Sequence, residues 1–330
     1  MLMTGSDIII ECLLEQGVDT VFGYPGGAVL NIYDSLYMYS DKIRHVITAH
    51  EQAACHAADG YSRTTGRTGV VIATSGPGAT NLVTGIATAY MDSIPMVAIT
   101  GNVSTNLLGL DSFQEVDICG ITMPVVKHNY IVKDISQLAD TIREAFAIAN
   151  EGRKGPVLID VPKDVTIAKT EFTRTQPKPP VHHNPYDINA QIEAAAELIK
   201  AAEKPFIYAG GGVILSNASD ELTALAELLD APVCCSLMGM GSISANHPLF
   251  AGNLGMHGAV ETGMAIKNAD LIIAAGARFS DRVAGDTEKF GANATIIHLD
   301  IDEKEINKNV KVDKWLIGNL KDSLTALKSS

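Results

Sequence analysis

The feature that most constrains this chain is a rhythm in which short, unbroken apolar strands alternate with helical segments. Runs such as VVIAT (70–74), VAIT (97–100) and VLID (157–160) show no polar alternation. That is the pattern of strands buried on both faces of a parallel sheet. Over the first 165 residues the rhythm predicts helices at 6–16, 28–39, 51–65, 79–90 and 135–150. Between them it predicts strands at 20–23, 43–48, 70–74, 96–100 and 157–161. Gly17 and Gly66 close the first and third helices. Strands separated by helices of about 10–15 residues imply right-handed βαβ units.

The rhythm breaks at QPKPPVHHNPYD (176–187), which has four prolines and no apolar period, so it reads as an extended linker. His182 and His183 within it are a solvated pair far more readily than metal ligands. The rhythm then restarts. Asp187 is placed to cap a helix to about 202, followed by strands at 206–209, 233–236, 271–275 and 295–300 and helices at 220–229, 259–268 and 321–327. The expected fold class is α/β, with two doubly wound parallel-sheet domains at 1–168 and 187–330 joined by a Pro-rich linker at 169–186. A length of 330 residues fits two cores.

Thirty-eight acidic residues against 25 basic give a net charge of −13 without a Lys/Arg cluster. That excludes a nucleic-acid or anionic-membrane surface, where basic patches supply the affinity. No apolar run approaches the length of a membrane-spanning helix. The opening MLMTGSDIIIECLL lacks a basic n-region and carries Asp7 and Glu11, so it reads as a first helix rather than a signal peptide. The five cysteines show no metal-ligand spacing and fit free thiols in a reducing cytoplasm. No metal ligand is expected in this chain.

Three motifs carry chemistry. Glu51 opens a helix among small apolar residues in AHEQAACHAAD (49–59); it is either a helix-start charge or a working acid/base. Tyr24-Pro25-Gly26-Gly27 stands between a strand and a helix, as an ordinary tight turn or as a turn whose backbone meets a ligand. Ser75-Gly76-Pro77-Gly78-Ala79-Thr80-Asn81 repeats the device, placing Asn81 at the C-terminal edge of the sheet, where open α/β folds bind ligands. Neither glycine turn matches the spacing of an ordinary nucleotide loop.

Taken in order, YPGG, AHEQAACHAADGYSR, TSGPGATN, DSIPMVAITG and DSFQEVD, then YAGGG, NLGMHG, GARFSDR and HLDID, resemble the acetolactate synthase (acetohydroxyacid synthase) catalytic subunits among thiamine-diphosphate enzymes. The resemblance implies a pyrimidine-binding domain followed by a Rossmann-like FAD domain. The glutamate matching Glu51 bonds the ring nitrogen of the cofactor's aminopyrimidine and holds the proton that favours its imino tautomer. By the same resemblance Tyr24, Pro25, Gly27, Pro77 and Asn81 line the aminopyrimidine and reacting centre. Phe113 and Gln114 form an active-site loop pair, Lys127 stands near the substrate channel, and Arg282 meets a substrate carboxylate. For Lys127 a plain surface lysine stays open.

The resemblance also implies FAD held by Arg153, Gly211, Gly212, Met256, His257, Gly258, Gly276, Arg278, Asp300 and Asp302, in a structural role without net redox. Family members often have aspartate where Ser280 stands. The implied substrates are pyruvate and 2-ketobutyrate, in valine, leucine and isoleucine synthesis. The implied assembly is a cytoplasmic dimer or tetramer, with a small regulatory subunit in some members. The family's Gly-Asp-Gly, which with a later asparagine holds Mg²⁺ and the diphosphate, does not occur in these 330 residues. The expectation is therefore an incomplete active site and no synthase turnover by the chain alone. Competing readings are another flavin-bearing carboligase or an oxidase, and a non-catalytic FAD-binding or assembly module. A glyoxylate carboligase is disfavoured because Glu51 is present. A nicotinamide dehydrogenase is disfavoured because G-x-G-x-x-G is absent.

Overall fold

The computed structural model describes residues 1–177 and 188–330. His182, His183 and the helix cap expected at Asp187 lie outside the described residues. The chain divides into two compact units, residues 1–181 and 182–330.

The first unit is built on a six-stranded, all-parallel sheet. Its spatial order is Arg44–Ile47, Thr20–Tyr24, Gly69–Ala73, Met96–Asn102, Pro156–Pro162 and His128–Ile131. The three strands flagged by unbroken apolar runs are the buried centre, because helices cover both faces. Helices Glu51–Thr65 and Ile135–Asn150 fall where the apolar period places them. The helix expected at 79–90 is two, Pro77–Asn81 and Val83–Met91. At the junction the Leu82 N–H turns to the Ala79 carbonyl, a tighter i→i−3 bond.

Two strand pairings of this unit went unforeseen. Leu2–Thr4 pairs antiparallel with Lys169–Glu171. His128–Ile131 forms an edge strand, with His128 and Ile131 exposed and Asn129 donating to the Cys119 carbonyl at 2.7 Å.

The second unit is another six-stranded parallel sheet. Its order is Phe250–Asn253, Val233–Cys235, Pro205–Ala209, Leu271–Ala275, Thr295–Asp300 and Lys314–Ile317. Numbered along the chain this is 3-2-1-4-5-6, the dinucleotide-binding order, which reverses between Pro205–Ala209 and Leu271–Ala275. The first sheet has its reversal between Thr20–Tyr24 and Gly69–Ala73. In open α/β sheets the crevice beyond such a reversal is where ligands sit. Among the described residues no helix is long and apolar enough to cross a membrane.

Candidate active site and nucleotide site

Both chemistry-bearing turns of the first unit leave the sheet at its reversal point. Tyr24-Pro25-Gly26-Gly27 follows one of the two strands, and Ser75-Gly76-Pro77-Gly78 follows the other. They are stitched together: the Ala28 N–H donates to Thr74 Oγ1 at 3.1 Å. A Cβ on Gly26 would lie 2.5 Å from the Thr74 side chain. Around Gly27, by contrast, a Cβ would meet nothing within 4 Å, so its backbone borders open space.

Glu51 enters from the neighbouring strand. It is the first residue of helix Glu51–Thr65, whose start is capped by His50, with Nδ1 accepting the Gln52 N–H at 3.1 Å. A helix-start charge normally stays in water, yet Glu51 is only 9% exposed. Its Oε2 accepts a hydrogen bond from Asn81 Nδ2 at 2.9 Å. Its Oε1 faces Gly78, where a Cβ would approach within 3.2 Å. One carboxylate oxygen is thus fixed by an amide, and the other is kept accessible by a missing side chain.

Gly76 makes a third connection. Its φ is +57°, and a Cβ there would sit 2.6 Å from the Gln114 carbonyl oxygen. Only glycine meets both demands. Gln114 also has positive φ, in a loop tied by the Glu115 carboxylate, which accepts from Gly109 N–H and, at 2.9 Å, from Ser112 N–H. Phe113 beside it is 88% exposed. The structure therefore gathers Tyr24, Pro25, Gly27, Glu51, Pro77, Asn81, Phe113 and Gln114 at one edge of the sheet.

One expected residue is elsewhere. Lys127 precedes strand His128–Ile131 and so stands at the N-terminal edge, opposite Glu51. Its ammonium donates to the carbonyls of Ile148 and, at 2.6 Å, Glu151, closing the end of helix Ile135–Asn150. Burial pulls its pKa down to about 8, with Glu151 acting in the other direction. The placement near a substrate channel is thus corrected within this chain, because helix-end carbonyls take the cation. Arg153 is also at the N-terminal edge, donating from Nε to Ser93 Oγ at 2.8 Å.

In the second unit, Gly210–Gly212 and Gly276 leave the two central strands and touch backbone to backbone. The Gly212 N–H donates to the Gly276 carbonyl at 3.1 Å. Gly276 has φ +58°, and a Cβ there would lie 2.6 Å from Gly212 Cα. The strand ends at the reversal point are therefore free of side chains. Asp300 ends the next strand and accepts the Asp302 N–H at 2.9 Å, while Asp302 Oδ1 accepts the Lys304 N–H at 3.1 Å.

The turn that carries Arg278 and Arg282 is anchored by Phe279, which is buried with φ +49°. A bulky residue in that region is strained and needs its surroundings to hold it. The buried His298 ring packs edge-on to Phe279 at 5.0 Å, and its Nε2 lies 2.8 Å from the Ala277 carbonyl. Past this turn the Met256 N–H donates to the Arg282 carbonyl at 2.8 Å. The Arg282 guanidinium is 4.0 Å from Met256 Sδ and 71% exposed at the side chain. The helix expected at 259–268 follows Met256, His257 and Gly258. That helix begins at Val260, and the three residues form the loop ahead of it.

Absent from the sequence expectations was a buried polar cluster under the Glu51 edge, made by Thr100, Asn102 and Asp160. An acid inside the apolar run VLIDV was its only signal.

Comparison with known proteins agrees with this geometry. Residues 3–121 match the N-terminal TPP binding domain of thiamine pyrophosphate enzymes, and residues 192–327 match the central domain of the same enzymes. The chain is 51% identical over 325 residues to a probable acetolactate synthase large subunit of Methanococcus aeolicus, covering 97% of this chain and 54% of that protein. It is 50% identical over 327 residues to the acetolactate synthase large subunit of Corynebacterium glutamicum (98% and 52%). It is 46% identical over 327 residues to the acetolactate synthase isozyme 3 large subunit of Escherichia coli (98% and 57%). The chain spans about half the length of the curated relatives it matches. With both domain models matched in order, and the two glycine-lined sheet reversals in place, the chain belongs to the thiamine pyrophosphate enzyme family.

Proposed function

We propose that these residues are the part of an acetolactate synthase large subunit that holds the reacting end of thiamine diphosphate in residues 1–168 and FAD in residues 187–330. The substrates would be pyruvate and 2-ketobutyrate, as the branched-chain pathway requires. The observation that carries this reading is the Glu51–Asn81 pair at the sheet reversal.

The residues fit the cofactor. An aminopyrimidine ring nitrogen needs a carboxyl partner shielded from water, and Glu51 is that partner, with Gly78 leaving one of its oxygens open. When bound, thiamine diphosphate supplies the nucleophilic carbon and electron sink for decarboxylating a 2-keto acid. Glu51 holds the proton at the ring nitrogen, help worth about 10²–10⁴-fold. Asn81 fixes the carboxylate's orientation, and Tyr24, Pro25, Gly27 and Pro77 shape the wall the ring meets. Phe113 and Gln114 sit over the reacting centre. By the resemblance alone, Arg282 is the candidate cation for a substrate carboxylate.

Gly211, Gly212 and Gly276 admit a dinucleotide to the reversal point of the second sheet, where Arg278, Asp300 and Asp302 are near its phosphates and ribose. Met256, His257 and Gly258 border it. FAD there is structural. Mg²⁺ and the diphosphate need ligands outside these residues: Gly-Asp-Gly does not occur here, and the described residues contain no cluster of metal ligands. The assembly would be a cytoplasmic homodimer or tetramer, with a small regulatory subunit as a further partner. The test supplies a Gly-Asp-Gly-bearing domain in trans with FAD, thiamine diphosphate, Mg²⁺ and pyruvate. Acetolactate should form without bleaching of bound FAD. Bleaching by pyruvate would instead indicate an oxidase, and no acetolactate would refute the assignment.

A further inference from the structure

Asp160 is an acid that the chemistry above does not use. It is 1% exposed, in the middle of the apolar strand Pro156–Pro162. Burial pushes its carboxyl up to about 7 and Asp117 adds to the rise, while hydrogen bonds from Asn102 and Thr100 act in the opposite direction. A buried acid of this kind is costly and persists only where its hydrogen bonds specify something.

What they specify is the root of a loop. Thr100 Oγ1 donates to Asp160 Oδ1 at 2.7 Å, and Asn102 Nδ2 donates to Oδ2. With its amide nitrogen turned to the acid, Asn102 presents Oδ1 to the Val103 N–H at 2.8 Å. Val103 is the first residue after strand Met96–Asn102 and begins the segment 103–117. Two residues on, Thr105 N–H and Oγ1 donate to the two oxygens of Asp164 at 3.0 and 2.5 Å. Asp160 in the strand and Asp164 in the helix Lys163–Ile167 that follows it thus grip two successive points of the segment. Its far end is fixed by Asp117, which caps helix Ile118–Thr122. Between these anchors Gln114 rests against Gly76.

We propose that Asp160 is a positioning residue that acts through Asn102 to hold the root of segment 103–117 and so sets where Gln114 lies over the Glu51 site. The functional part of this statement rests on the proposed role of Phe113 and Gln114. The structural part does not, and it is what the experiment reads. The Asn102 amide is the coupling element: the acid orients its nitrogen, which fixes where its oxygen points.

The test is amide hydrogen exchange on the full 330-residue chain, comparing peptides from 103–117 with peptides from 69–73 and 271–275. Asn102→Ala should speed exchange in 103–117 about tenfold, the scale of one net hydrogen bond, and leave the two strands unchanged. Asp160→Asn keeps an acceptor oxygen but loses the charge, so it should give a smaller rise confined to the same segment. In the double variant Asp160→Asn should add nothing to Asn102→Ala, because the acid acts through that amide. Unchanged exchange in 103–117, a uniform rise across all peptides, or additive effects in the double variant would each overturn the proposal. If Asn102→Ala does not fold, a rise limited to 103–117 in Asp160→Asn supports the proposal, and a uniform rise or none refutes it.

Discussion

The side-chain amide of Asn81 donates to Glu51 Oε2 at 2.9 Å, joining the last residue of helix Pro77–Asn81 to the first residue of helix Glu51–Thr65, 30 residues earlier in the chain. The bond fixes the carboxylate's rotation in a site with little water. A hydrogen bond to a charged group is worth about 1.5–3 kcal/mol. In the assembled enzyme, Asn81→Ala should therefore weaken thiamine-diphosphate binding or slow turnover roughly ten- to a hundredfold. Cofactor titration against initial rate measures this. An unchanged rate would mean that Glu51 is oriented without the amide.

The glycines around this pair should separate by function. Gly27→Ala meets no heavy atom within 4 Å, so thermal unfolding should be nearly unchanged while cofactor affinity falls as the added methyl enters the open space. Gly76→Ala is strained by its φ and collides with the Gln114 backbone. It should destabilise the first unit by about 1–3 kcal/mol and lower activity together with stability. Denaturant unfolding beside a binding titration distinguishes the two outcomes.

The second unit admits a test that needs no catalysis. Gly276→Ala places a Cβ 2.6 Å from Gly212 Cα, so the two glycine turns must separate. The variant should lose flavin absorbance after incubation with FAD and gel filtration, whereas the parent chain retains it. A variant that holds FAD as well as the parent would place the nucleotide elsewhere.

Much of the fold was legible because a parallel sheet buries its strands on both faces and leaves unbroken apolar runs. Strands Leu271–Ala275 and Thr295–Asp300 and helix Glu51–Thr65 were readable to the residue. Edge strands such as His128–Ile131 and Lys314–Ile317 were not, since one face is wet and their sequences look like loops. The Glu51, Asn81 and Gln114 cluster was readable through motif order and resemblance. What sequence could not supply was the edge strand that puts Lys127 at the opposite end of the sheet from Glu51. In a parallel sheet a residue that precedes a strand lies at its N-terminal edge, and the strand after Lys127 has no unbroken apolar run to mark it.

Asp160 gives a pH prediction with a definite sign. Its carboxyl is raised in the folded state from 3.8 to about 7. Between those values the folded chain holds a proton that the unfolded chain has released, so stability falls as pH rises through that window. Asp160→Asn cannot titrate. Relative to the parent, its stability should improve between pH 5.5 and pH 8 by on the order of 2 kcal/mol. Urea unfolding of the first unit at the two pH values measures the change. A difference independent of pH would contradict the raised carboxyl.

The central claim is that Glu51 handles the proton that makes thiamine reactive. The direct measurement is Glu51→Gln in the enzyme assembled with a diphosphate- and Mg²⁺-binding domain, with acetolactate formation from pyruvate followed at saturating cofactor. Glutamine keeps the shape and the Asn81 contact but cannot move a proton, so the rate should fall about 10²–10⁴-fold. Acetolactate formed at the parent rate would contradict the claim.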